Sequence, residues 1–260
     1  MRCPIVTHAT LALPFISKGI PVFIEKCLTD SVADARRLEI AARKSGSLVH
    51  VGHVHLHNPA FLKAKELAPS LGPIRYLMFE GMSNGPVRSD ASVLWDWLPH
   101  PLSMALGLFQ RGPKSAQAWG INLLRPRSKT LYDLGVARFD FKDATLLCTV
   151  NWVAPEKRTK MTIVGRKSTL VHTDTDPRKL ALYEGMGPAV DGSKVTPQIP
   201  AITHPPYESG WPLEYELRAF VAAIRKESHD RSELEFGRRI VELVEAAHES
   251  IKKGGRKVAC

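Results

Sequence analysis

The stretch between residues 74 and 173 most constrains what this chain can fold into. It holds a succession of short β-prone segments, at 74–80, 116–124, 131–141, 144–153, 160–164 and 169–173. Only one long helical pattern, from about 95 to 109, interrupts them. Strands joined by tight turns pair antiparallel, because a parallel crossover needs a dozen or more residues. Runs of strands after a single helix therefore predict an α+β domain on a large, mostly antiparallel sheet.

Ahead of that stretch, helix and strand alternate. Thr7 predicts the cap of a helix over 9–17, stopped by Gly19. Residues 21–25 form a short apolar run of the kind buried in a parallel sheet. Ser31 and Asp34 resemble a capping box opening a helix that ends before Gly46. Residues 48–53 read as a second strand, and Asn58-Pro59 opens a helix with Pro in its first turn. Strand, helix and strand at this spacing make a βαβ unit, which crosses over right-handedly onto a parallel sheet. The fold expected is thus an α/β remnant over 1–57 followed by an α+β domain over 58–260.

Towards the end, residues 185–206 are rich in Gly and Pro and predict an irregular loop. Two amphipathic helices follow. Leu213, Leu217, Phe220, Val221 and Ile224 make one apolar stripe; Phe236, Ile240, Leu243, Val244, Ala247 and Ile251 make the other. Both are expected to be packing faces.

Composition narrows the function classes. With 260 residues, 44% hydrophobic and 24% charged, the chain has ordinary globular composition. A net charge of +10 raises the question of nucleic acid, but the basic residues are scattered pairs such as Arg36-Arg37, Arg166-Lys167 and Arg238-Arg239. A solvated basic surface, or an anionic small substrate, fits better. Lys18, Glu25 and Lys26 break the most apolar candidate for a membrane span, and no apolar run follows Met1-Arg2-Cys3-Pro4 as a secretory leader requires. Cys3, Cys27, Cys148 and Cys260 lie far apart, which predicts reduced thiols and a cytoplasmic location.

Two groups of residues carry chemistry. Asp96 and His100 are four apart, so on a helix they share a face. A histidine near its ordinary pKa takes a proton from a hydroxyl, and a carboxylate beside it orients the ring. His53, His55 and His57 alternate, and on a strand would face one way. With no carboxylate or cysteine close by in sequence, no metal site is expected from that run.

Three stretches, taken together, resemble the glucose–fructose oxidoreductase / inositol dehydrogenase / MocA family. They are Thr7-His8-Ala9 through Gly19 to Val22-Phe23-Ile24-Glu25-Lys26-Cys27, then Val51-Gly52-His53 with Asn58-Pro59-Ala60-Phe61, then Trp95-Asp96-Trp97-Leu98-Pro99-His100. The closing helix, 237–250 with Gly254-Gly255 behind it, is similar too. The resemblance implies an NAD- or NADP-dependent oxidoreductase acting on a hydroxyl of a sugar, sugar nucleotide or polyol. It implies that residues 1–57 are part of a dinucleotide-binding Rossmann domain, and 58–260 a substrate-binding and oligomerisation domain. By the same resemblance His100 is the acid/base, Asp96 its helper, and Lys26 stabilises alkoxide charge. His8, Glu25, Lys26 and His53 would meet the cofactor, and Arg88 and Trp95 the substrate. A homo-oligomer formed through the large sheet is also implied.

The departures are as informative. No strand, Gly-rich turn and helix that could cradle a pyrophosphate occurs in this sequence; the nearest Gly-x-Gly, Gly185-Met186-Gly187, sits in the predicted loop. Weak or absent cofactor binding by this chain is therefore expected, and the chain reads as incomplete. Cys27 stands where the family has Pro, Leu56 where many members have Arg, and Pro101 where Asp is common. A non-catalytic oligomerising scaffold derived from the family is the alternative.

Overall fold

The computed structural model describes residues 3–185, 189–191, 194–196, 199–226 and 232–260. The first layer comprises α1 (His8–Ile16), β1 (Val22–Glu25), α2 (Val32–Ser45) and β2 (Val49–Gly52). Ser31 Oγ accepts from the Asp34 N–H at 3.2 Å and so caps α2, while Gly46, at φ 74°, ends it in the left-handed region that favours glycine. β1 and β2 pair in parallel from Val22–Val49 to Glu25–Gly52, as a βαβ unit requires. β2 is buried along its whole length.

Beyond it come α3 (Pro59–Leu67), β3 (Ile74–Asn84), α4 (Val93–Trp97) and α5 (Pro99–Phe109). Asn58 Oδ1 caps α3 by accepting from the Ala60 N–H at 3.0 Å. The single helix expected over 95–109 is two, because Pro99 has no N–H to continue the ladder and instead opens α5. Leu98 between them keeps helical angles, so Asp96 and His100 stay about one turn apart. The run His53–His57 is not a strand: Val54–His57 is a 3-10 turn, which sends its histidines in different directions.

The strands that follow are β4 (Ser115–Ile121), β5 (Leu134–Asp140), β6 (Thr145–Asn151), β7 (Val153–Gly165), β8 (Ser168–Thr173) and β9 (Leu180–Glu184). β7 is longer than its predicted 160–164. Its Pro155 falls in a register shift between the pairs Met82–Arg158 and Asn84–Val153, where a missing N–H is tolerated. The predicted loop over 185–206 instead carries β10 (Ala189–Asp191), β11 (Lys194–Thr196) and β12 (Ala201–Thr203). Met186 and Gly187 of the Gly-x-Gly lie outside the described residues. The chain ends with α6 (Pro212–Arg225), α7 (Ser232–Lys252) and β13 (Val258–Ala259). Among the described residues the large sheet has nine strands in the order β12-β9-β8-β7-β3-β6-β5-β4-β13, and only β3 and β6 run parallel.

One face of this sheet is closed by helices over Leu77, Phe79, Phe139, Leu146 and Ile163. The other is open and carries exposed Tyr76, Met78, Trp119, Val136 and Leu147. Helix α7 packs on both layers: Leu234 and Val241 enter the core of Ile16, Leu38 and Val51, while Ile240, Leu243 and Val244 enter that of the large sheet. Its stripe is the packing face expected. The stripe of α6 is not. Leu213, Leu217, Val221 and Ile224 face outward, and α6 turns Glu216 and Phe220 toward the protein. The parallel sheet beneath has only two strands among the described residues, too narrow to cover the whole apolar arc.

Candidate active site

The C-terminal end of β1 delivers Lys26 into a cleft of about 860 Å³ between the parallel layer and the large sheet. Asp96 and His100 reach the same cleft from α4 and α5, with Trp97, Trp152 and Arg88 beside them. Gly81 on β3 makes that seating possible, since a Cβ there would lie 2.3 Å from the Trp97 ring.

Lys26 Nζ donates to Asp96 Oδ1 at 2.8 Å and also to the Asp96 carbonyl. Trp152 Nε1 donates to Asp96 Oδ2 at 3.4 Å, and Arg88 Nη1 stands 3.9 Å from Oδ1. Burial pushes the Asp96 carboxyl up, but the charge and hydrogen bond of Lys26, with Arg88 and Trp152, outweigh it and hold the group below its ordinary value. Asp96 is therefore ionised at neutral pH. Its hydrogen bonds go to Lys26 and Trp152, so it orients the lysine.

His100 is half-buried and packs edge-on against His55, ring centroids 4.8 Å apart, and against Trp97 at 6.1 Å. Burial lowers the His55 pKa, so the neighbour of His100 is a neutral ring rather than a competing charge.

The remaining predicted residues divide. Glu25 lies exposed at the cleft wall. His8 also lines the cleft, but its Nδ1 donates to the Cys27 carbonyl at 3.0 Å and so holds the turn that carries Lys26. The Lys26–Cys27 peptide is cis. Cys27 is buried, which pushes its thiol up to about 12 and removes it as a nucleophile. His53 lies away from the cleft lining: it is 3% exposed, packs on Phe236, and is pushed down to about 3 by burial, with His50, Lys26 and His57 adding to the effect. A role for His53 in touching cofactor does not match that position. Arg88 lines the cleft with its guanidinium already paired bidentately to Asp90, at 3.0 and 2.7 Å. Trp95 lines it while stacking on His248, centroids 5.3 Å apart. Leu56, in place of Arg, packs toward Gly107 and the main core, and Pro101 is buried in α5.

Sequence reasoning missed Trp152, His55 and Asp90. Asp90 pairs with Arg88 two residues away, whereas only the fold brings Trp152 to Asp96 and His55 to His100.

Residues 75–171 match the GFO/IDH/MocA C-terminal domain. A protein of Magnetospirillum magnetotacticum MS-1, provisionally classed as an oxidoreductase, is 30% identical, with TM-score 0.78 over 94% of this chain and 77% of that one. This chain belongs to the GFO/IDH/MocA family. Other GFO/IDH/MocA-like structures share its fold at lower identity. An inositol dehydrogenase homolog of Azotobacter vinelandii, complexed with NADH and myo-inositol, is 20% identical, with TM-score 0.80 over 99% of this chain and 76% of that one. The aldose–aldose oxidoreductase of Caulobacter crescentus, complexed with glycerol, is 19% identical, with TM-score 0.79 over 100% and 78%. No curated protein matches the sequence. Among the described residues, no helix is long and apolar enough to cross a membrane.

Proposed function

We propose that this chain carries the substrate-side machinery of a nicotinamide-dependent oxidoreductase that oxidises a hydroxyl of a sugar, sugar nucleotide or polyol. The observation that carries the reading is the 2.8 Å ion pair of Lys26 and Asp96 in the cleft that also holds His100. A ring nitrogen of His100 accepts the hydroxyl proton, and the Lys26 ammonium stabilises the alkoxide that develops on that oxygen. Asp96, kept ionised, fixes the direction of Lys26. Trp95 and Trp97 offer apolar faces of the kind that pack on sugar rings, and Arg88 offers a cation to an anionic substituent. NAD or NADP, when bound, would supply the hydride acceptor.

The residues present fit the reacting end of such a cofactor and not its pyrophosphate. The N-terminus of α2 is closed by the Ser31 cap, and its Val32 N–H donates to Glu245 Oε1 at 2.7 Å. The turn ahead of α1 is occupied in the same way, with the Ile5 N–H donating to Asp90 Oδ2 at 3.2 Å. A phosphate at either place would meet a carboxylate. The test is a polyol and sugar panel with NAD and NADP, run on a form in which a glycine-rich strand–turn–helix is fused ahead of residue 3. Oxidation of at least one of these alcohols is expected; none across the panel, with cofactor bound, would favour the scaffold reading.

The open face of the large sheet supports a homo-oligomer. Met78 and Leu147 are partners in register, as are Trp119 and Val136, so their exposed side chains are contiguous across neighbouring strands. A stable pairing buries about 800 Å² per partner, within reach of such a face. Light scattering at micromolar concentration is expected to give a multiple of 28.8 kDa. Leu147→Arg should shift it to monomer without loss of helix content; a wild-type monomer would refute the pairing. A cytoplasmic location is proposed from the cysteine spacing alone.

A further inference from the structure

We propose that His50, His57 and Glu216 form a structural site for a divalent transition-metal ion of the zinc class, tying α6 to the parallel layer. This rests on geometry away from the cleft and is independent of the catalytic reading: none of the three residues lines the space that holds Lys26 and His100.

Glu216 is fully buried, and neither carboxylate oxygen has a hydrogen-bond partner among the described residues. His50 is 5% exposed, and its Nε2 is unpartnered on the same terms. These unmet groups converge. His50 Nε2 lies 3.8 Å and His57 Nε2 4.0 Å from Glu216 Oε1, and all three ligand atoms lie within 4.8 Å of one another. Those separations are too long for hydrogen bonds. They lie close to what an ion would need: with bonds near 2.1 Å, tetrahedral ligands stand about 3.4 Å apart. Small rotations of two imidazoles would close the difference.

The donor set is one that zinc-class ions take, two neutral imidazole nitrogens and a carboxylate, and the second Glu216 oxygen or a water would complete it. The surroundings are apolar. Phe23 stacks on His50 at 5.2 Å, and Phe220 approaches the same ring at 5.7 Å. In such a place an unpaired carboxylate is costly unless a cation meets it. Two imidazoles aimed at it favour the cation.

The site also accounts for the position of α6. Its apolar stripe faces out, and the side chains it turns inward are those at the cluster, Glu216 and Phe220. The metal expectation from sequence lapsed for want of a nearby carboxylate; the fold brings one from α6 to the end of the His53–His57 run, and pairs it with His50 of β2 rather than with His53 or His55.

The test uses tag-free protein stripped with chelator and desalted, then titrated with zinc sulfate against a chromophoric competitor. About one equivalent is expected to bind with submicromolar affinity, and the melting temperature to rise by several degrees. Half-buried His57 can be changed with little risk to folding. His57→Gln should weaken binding at least tenfold, while His204→Gln, at an exposed histidine outside the cluster, should leave it unchanged. Glu216→Gln should abolish binding if it folds; His57→Gln decides the matter if it does not. Binding no tighter in wild type than in His57→Gln, or no zinc bound by wild type, would overturn the site.

Discussion

His100→Ala is expected to lower turnover by about a hundredfold or more in a form supplied with a cofactor-binding segment, while leaving the fold intact. The size follows from the role. A positioned general base contributes about 10²–10⁴-fold, and removing it leaves water to take the proton. Cleft polarity and Lys26 would remain. The fold should survive because His100 is half-buried and its ring touches His55 and Trp97 edge-on rather than filling the core. Near- and far-ultraviolet circular dichroism would check this. The pH profile separates a base from a positioning group. Loss of the base should remove the acid limb of kcat/KM, and a merely structural role would lower the rate at every pH with the limb preserved. Unchanged turnover would end the assignment.

How far this site could be read from sequence depends on whether its residues are fixed by local rules. The Ser31 and Asn58 caps, the parallel pairing of β1 with β2 and the one-turn spacing of Asp96 and His100 all follow from side-chain chemistry within a few residues. They were legible. That Lys26 belongs with Asp96 and His100 was implied only by family resemblance, and its ion pair with Asp96 was not read at all, since it joins the end of a strand to a helix far along the chain. The contacts of Trp152 with Asp96 and of His55 with His100 were out of reach for the same reason. Two placements that differ from the sequence reading have clearer causes. His53 sits at the end of a strand in a position that suggests exposure to a ligand, but α7 folds Phe236 over it, and the closing helix could not be placed from sequence. The α6 stripe has the period of a packing face, yet periodicity says only that one side differs from the other. Here the side turned to the protein is the one that carries buried Glu216, not the apolar stripe.

NAD or NADP titrated into this chain is expected to give no measurable heat at about 1 mM, a bound that corresponds to less than about 4 kcal/mol of binding. Nicotinamide dinucleotides draw much of their affinity from the pyrophosphate, which rests on free N–H groups at a helix N-terminus reached through glycines. The glycines of the parallel layer are elsewhere. Gly19 and Gly46 follow the C-terminal ends of α1 and α2, and Gly52 closes β2 against Phe23 and Glu25, where a Cβ would come within 3.2 Å. The helix starts are spoken for as well. Glu245 and Asp90 place carboxylates on the Val32 and Ile5 N–H groups, so an incoming phosphate would have to displace one negative charge to gain one contact. What is left for the cofactor is contact with Lys26, Glu25 and the cleft aromatics, too little to offset the loss of translational freedom. The measurement has a built-in control. Fusing a glycine-rich strand–turn–helix ahead of residue 3 should bring affinity into the micromolar range while His100→Ala in that form leaves binding unchanged. A low-micromolar dissociation constant for the chain without the fusion would mean that the pyrophosphate is held by a cradle other than a helix N-terminus, and would overturn the expectation.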